Sequence, residues 1–221
     1  MSNNYLKFLK LILKKNTLLR VLQIYECLNI TLYGTSIEFG AINNKDKTFS
    51  NFVKGKSKFH YSNKKSNKKL KVFYSDLTKK LNISSNKYNN VLFFNIFEHL
   101  SEYKLAFSEI YRIMKKGGFF IGSVPFIYQI HGAPRDYFRF SKQFLVKNLK
   151  KNRFKQIIVK PLGFGPFTAS YSLIHSYIKF IPIFSHLCLL LAYILDRIIQ
   201  VFVKTDLKEI YPVGYFFIAR K

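Results

Sequence analysis

Tryptophan is absent from this 221-residue chain, cysteine occurs twice, and 11 acidic residues stand against 37 basic ones. Cys27 and Cys188 lie far apart in apolar surroundings. That excludes a disulfide framework and a cysteine-built metal site, and it fits a reducing, cytoplasmic compartment. Arginine is scarce as well, at seven of the 37 basic residues. Base and phosphate recognition leans on the bidentate guanidinium. The formal charge of +26 therefore reads as the lysine- and asparagine-rich vocabulary of an AT-rich genome, and a nucleic-acid partner is disfavoured. Lys7, Lys10, Lys14, Lys15 and Arg20 interrupt every N-terminal apolar run, so a signal peptide has no room for its core.

What is present is an alternation of apolar runs and amphipathic stretches. Residues 1–33 read as an N-terminal helical segment, with Leu6, Leu9, Ile12 and Leu13 on one helical face. From residue 34 to 221 the pattern is that of a single α/β domain. Strands are expected over 35–41, 58–62, 70–74, 91–95, 119–124, 157–160 and 214–220. Helices are expected over 102–114, closed by Gly117 and Gly118, and over 141–151 with Ser141 as N-cap. The predicted fold is Rossmann-like and doubly wound, with a mostly parallel seven-stranded sheet and helices on both faces. A hydrophobic helical insertion, 166–203, precedes the last strand. Within it Phe180 to Leu195 is uncharged, sixteen residues where a spanning helix needs about 20, and Pro182 breaks the run near its start. A buried hairpin, a homodimer face and a membrane-surface contact through 173–203 are all open, with burial or dimerisation favoured. The last would place the protein at the inner membrane face.

Ligands of such sheets sit at the carboxyl ends of the strands, and polar residues recur there. Glu38-Phe39-Gly40 ends the first strand, where an acid can hold an ammonium group and a glycine admits a ligand to the backbone. Ser75-Asp76 ends the third, where Asp76 can accept from an adenine amine. Asn95-Ile96-Phe97-Glu98-His99-Leu100 follows the fourth. Ser36 to Gly40, Asp76, Asn95 to Leu100 and the turn Arg112-Ile113-Met114-Lys115-Lys116-Gly117-Gly118 together resemble the motifs of class I S-adenosylmethionine-dependent methyltransferases, of the type 11 kind. The resemblance spans about residues 35 to 160 plus the final strand and is most specific from Val91 to Phe140. It implies an enzyme that uses S-adenosylmethionine, held by Glu38, Gly40, Ser62, Asn63, Asp76, Leu77 and Asn95. Two departures stand out. One glycine occupies the place of the family's Gly-x-Gly turn, and neutral Ser62 and Asn63 occupy that of its ribose-binding acid.

The acceptor side falls in His131-Gly-Ala-Pro-Arg135-Asp136-Tyr137-Phe138-Arg139-Phe140. It resembles a stretch of the methyltransferase branch found in surface-polysaccharide and related small-molecule pathways. This implies methyl transfer to a hydroxyl of a sugar, glycan or other envelope-related small molecule. His131 is the first candidate for general base and His99 the second. Arg135, Asp136, Tyr137 and Arg139 are substrate candidates, with an Asp–Arg pair serving only the loop an equal alternative for Asp136. Neither histidine has a metal-ligand partner at useful sequence spacing, so no metal is expected. A non-catalytic relative that binds a membrane or protein, and an RNA methyltransferase, are the rival readings.

Overall fold

In the computed structural model, residues 16–41, 48–68, 71–132 and 135–221 are described. The helix expected around Leu6 to Leu13 lies outside them. Seven strands form one sheet: β1 Gly34–Phe39, β2 Ser57–Asn63, β3 Val72–Tyr74, β4 Tyr88–Phe94, β5 Met114–Pro125, β6 Lys155–Leu162 and β7 Gly214–Arg220. Their order is β3-β2-β1-β4-β5-β7-β6, and only β7 runs antiparallel to its neighbours. Phe39 pairs with both Ser62 and Phe93, Asn63 with Tyr74, and Phe94 with Ser123. The carboxyl ends of β1 to β5 therefore leave the sheet along one edge.

Alternation along each buried strand builds two cores, because successive side chains point to opposite faces. Ile37, Phe39, Val91, Phe93, Phe120 and Phe217 meet Phe107 and Ile110 of α2 (Tyr103–Ile113) and Leu145 and Leu149 of α3 (Lys142–Lys151). Leu92, Phe94, Ile121 and Phe216 meet Leu19 and Leu22 of α1 (Leu18–Cys27), with Ala169 of α4 (Pro166–Ile178) and Ala192 of α5 (Pro182–Phe202). Helices thus cover both faces, as the strand runs predicted. Ser141 caps α3, its Oγ accepting from the Phe144 amide at 3.3 Å.

Three of the departures from the sequence reading have a plain physical cause. β4 starts at Tyr88 because the Asn90 side chain donates to the Tyr33 carbonyl and to Ser36 Oγ, both at 2.9 Å, so a strand-averse residue is satisfied inside the sheet. β5 starts at Met114, paired with Tyr88, so the glycines shape the strand instead of ending the helix. Gly117 takes φ +81°, and a Cβ on Gly118 would lie 2.2 Å from the Asn89 carbonyl oxygen. Pro182 is the first residue of α5 and begins the helix, where its missing N–H costs nothing.

The insertion is a helical hairpin pinned by Asp196, which is 1% exposed. Its carboxylate accepts from the Phe167 amide at 2.9 Å, the Thr168 amide at 2.9 Å and Thr168 Oγ1 at 2.7 Å, capping α4 from α5. Along α5, Ile183, Phe184, Leu187, Leu190, Leu191, Ile194 and Ile198 remain exposed. Ser176 of α4 donates to Gln129 Oε1 at 3.1 Å, joining the hairpin to the loop after β5.

Candidate active site at the strand ends

The residues expected to hold a cofactor gather on one edge, in two classes. Gly40 (φ +70°), Ser62, Asn63, Asp76 and Leu77 stand at the ends of β1, β2 and β3. Gly40 is exposed, and a Cβ there would come within 3.0 Å of Ile96 Cδ1, so the left-handed turn and its open face both call for glycine. Ser62 Oγ is fully buried and makes no hydrogen bond among the described residues. Asn63 donates to the Ala41 carbonyl at 2.9 Å, tying the β2 end to the turn after β1. Asp76 Oδ1 accepts from Thr78 Oγ1 at 2.7 Å and the Thr78 amide at 3.0 Å; those bonds, the hydroxyl's first, hold its carboxyl below the ordinary range.

Glu38 and Asn95 are turned to partners inside the protein. Glu38 is 2% exposed, and its two oxygens accept from the Phe49 and Ser50 amides at 2.8 and 2.9 Å. Burial pushes its pKa up, and those amides oppose the shift. The carboxylate thus anchors the connection to β2. Asn95, at φ +53°, exchanges amide hydrogen bonds with Gln23 of α1 at 2.7 and 3.1 Å, and Gln23 also donates to Ser123 Oγ at 2.6 Å. Gln23 carried no motif, so no sequence signal marked it.

The acceptor loop folds onto the end of β4. Asp136, its side chain 3% exposed, takes both arms of the Arg139 guanidinium, with Nη2 to Oδ2 at 2.7 Å, and the His131 amide at 3.0 Å. The Arg139 hydrogen bonds hold Asp136 down at about 2. This pair builds the loop, and it leaves Arg135 and Tyr137 exposed. The Tyr137 amide donates to the Glu98 carbonyl at 2.7 Å, and His99 Nδ1 lies 2.6 Å from the Arg135 carbonyl. These bonds bring the His99 and His131 rings to 5.0 Å, nearly perpendicular. Burial lowers the His99 pKa, which keeps it neutral near pH 7.

Glu98 is the residue the sequence reading underweighted. It is 0% exposed, neither carboxylate oxygen accepts a hydrogen bond among the described residues, and burial pushes its pKa up to about 8. One ligand atom from each of Glu98, His99 and His131 lies within 4.8 Å of the others. The expectation of no metal site rested on spacing along the chain; the fold joins residues that spacing keeps apart.

A family model described as a methyltransferase domain matches residues 35–122. Over that stretch the chain is similar to a methyltransferase domain. The cofactor of such domains is S-adenosylmethionine, and the residues present fit that group: the orphaned Ser62 hydroxyl, the open turn at Gly40 and the acid at Asp76 stand at the strand ends. No curated protein matches the sequence. Among solved structures, phosphoethanolamine N-methyltransferase 2 of Haemonchus contortus, in complex with S-adenosyl-L-methionine, is 16% identical. The match covers 90% of this chain and 52% of that one, with a TM-score of 0.56, so this chain spans about half that enzyme's length. A possible histamine N-methyltransferase from Thermotoga maritima is 11% identical over 99% of this chain and 95% of its own, with a TM-score of 0.57. A methyltransferase from Archaeoglobus fulgidus is 13% identical, at 100% and 95% coverage and a TM-score of 0.54. At these identities the likeness is one of fold.

Proposed function

We propose that this chain transfers a methyl group from S-adenosylmethionine to a hydroxyl oxygen of a sugar or another envelope-related small molecule. The observation that carries the reading is the convergence of His99 and His131 beside the strand ends, the edge where sheets of this kind bind their ligands. When bound, S-adenosylmethionine supplies a methyl group on a cationic sulfur, so the protein's tasks are alignment, exclusion of water and removal of one proton. In this reading Asp76 takes the adenine amine, Ser62 and Asn63 the ribose hydroxyls, and Leu77 packs beneath the base. Gly40 lets the ligand reach the backbone, while Glu38 and Asn95 act through the turns they hold. His131 Nδ1 lies 3.3 Å from the Gln129 carbonyl and 3.3 Å from Asp136 Oδ2, which presents Nε2 to the acceptor as base, with His99 second. Asp136 and Arg139 hold the loop, and Arg135 and Tyr137 meet the substrate. The resemblance of the 131–140 stretch to the polysaccharide branch supports a sugar acceptor over an amine.

Calorimetric titration of the purified chain with S-adenosylhomocysteine tests the cofactor half. Saturable binding is expected, weakened at least about tenfold by Asp76→Ala through the loss of a charged acceptor. No saturable binding at roughly millimolar ligand (a ΔG near −4 kcal/mol) would overturn the enzyme reading and favour a non-catalytic relative.

The exposed face of α5 supports a further partner. We infer that the hairpin lies on an anionic membrane surface, with the protein peripheral on the cytoplasmic side. Helix α5 is long and apolar enough to span a bilayer, and 17% of its apolar window is buried. Yet Asp196 in its C-terminal half is locked into the domain, so the helix lies along an interface with one apolar side outward. Arg197 and Lys204 are exposed beside that side, complementary to anionic headgroups. Flotation with phosphatidylglycerol vesicles should capture the chain, phosphatidylcholine vesicles much less, and Leu187→Asp with Leu191→Asp should abolish capture. No capture, with a concentration-dependent doubling of mass by light scattering, would make the face a dimer contact instead.

A further inference from the structure

We propose that Glu98, His99 and His131 bind a divalent transition ion of the Zn2+ type, leaving one coordination position open. Three features of the cluster carry this. First, the ligand set converges: a carboxylate oxygen and two imidazole nitrogens lie within 4.8 Å of one another, with Glu98 Oε1 3.8 Å from His99 Nε2. Closing onto an ion at about 2.0–2.2 Å from each ligand asks for ångström-scale side-chain motion.

Second, each histidine is already oriented as a metal ligand. His99 Nδ1 meets the Arg135 carbonyl at 2.6 Å, and His131 Nδ1 meets the Gln129 carbonyl and Asp136 Oδ2, both at 3.3 Å. Acceptors on Nδ1 place that proton there and leave the Nε2 lone pair for an ion. Such outer partners accompany nearly every ligating histidine.

Third, the carboxyl of Glu98 is fully buried and accepts no hydrogen bond among the described residues. A buried polar group is ordinarily paired, and an unpaired one calls for an explanation such as an ion. The nearby Arg139 does not fill that role, because its guanidinium is spent on Asp136 and on backbone carbonyls.

Two imidazoles and one carboxylate suit Zn2+ and its first-row neighbours better than Mg2+ or Ca2+, which prefer all-oxygen cages. Three protein ligands leave a position for water or an acceptor oxygen. The ion site is independent of the methyl-transfer reading and is measured without it. Where both hold, both Nε2 lone pairs are coordinated. An acceptor hydroxyl at the open position is then acidified by the ion, its O–H bond breaking with the proton released to solvent.

The test uses the full chain freed of metal by chelator dialysis and titrated with Zn2+ and Co2+. One ion per chain is expected, with the visible absorption of four- or five-coordinate Co2+ bearing nitrogen and oxygen ligands. His131→Ala and the isosteric Glu98→Gln should each weaken binding by more than about tenfold and abolish the Co2+ spectrum. His186→Ala, outside the cluster, should change neither. Should Glu98→Gln fail to fold, His131→Ala, on a partly exposed loop, decides alone. An absence of stoichiometric binding, or binding and spectrum unchanged in His131→Ala, overturns the proposal.

Discussion

Replacing Phe97 by alanine is expected to lower the free energy of unfolding by about 4 kcal/mol, within the range measured for emptied aromatic sites. Phe97 is 0% exposed and its ring touches those of Phe93, Phe107, Phe120, Phe140 and Phe217. Those five come from β4, α2, β5, β7 and the segment before α3. A cavity there cannot be closed by one neighbour moving, because each neighbour is held in a different element. Against a typical total of about 5–15 kcal/mol, this removes from about a quarter to most of the stability. Urea unfolding followed by far-ultraviolet circular dichroism measures it. Ile130→Ala, at a side chain 88% exposed, serves as the control and should shift stability by less than about 0.5 kcal/mol. A Phe97→Ala midpoint equal to the wild type's would contradict the packing described.

The second large effect belongs to the acceptor loop. Asp136→Ala removes the partner of Arg139 and of the His131 amide at once, leaving a half-buried guanidinium with backbone carbonyls alone. Breaking such a pair from one side costs on the order of 3–5 kcal/mol in buried settings, and somewhat less here because Arg139 is partly open to solvent. The expected readout is a loss of at least about a hundredfold in methyl transfer, equivalent to roughly 2.7 kcal/mol, with S-adenosylhomocysteine affinity unchanged. The pH dependence has a definite sign. The Asp136 carboxyl is held at about 2, so the pair's contribution is fully present above the ordinary carboxylate value. It fades only as pH falls from there through about 2. Any acid limb of a rate profile near pH 6 therefore belongs to another group. Equal weakening of cofactor affinity in Asp136→Ala would place the residue elsewhere in the machinery.

The sheet was legible because its central strands are apolar without interruption: Val91 to Phe94 admits little but a strand buried on both faces. The strand-end motifs were legible for the same reason, since each follows such a run and all leave by one edge. What a linear reading missed was set by contacts between distant residues. Asn95 turns to Gln23, 72 positions away, and His99 meets His131 across 32. Glu98 looked like one member of a motif; only the packed loop shows that no described residue donates a hydrogen bond to its carboxyl. The early starts of β4 and β5 follow from asparagine and glycine, residues that local propensity assigns to turns, being satisfied by neighbouring strands. Glu38 sat where the motif placed it, and its commitment to the Phe49 and Ser50 amides could not be read from spacing.

The bond from Ser176 to Gln129 ties the hairpin to the loop after β5. The Gln129 side chain is held by the hairpin, while its main-chain oxygen is shared by His131 and Arg139. A single residue is therefore a coupling rod between the apolar insertion and the histidine loop. Truncating the Gln129 side chain would release the hairpin from that loop, while the carbonyl that faces His131 and Arg139 stays in the main chain.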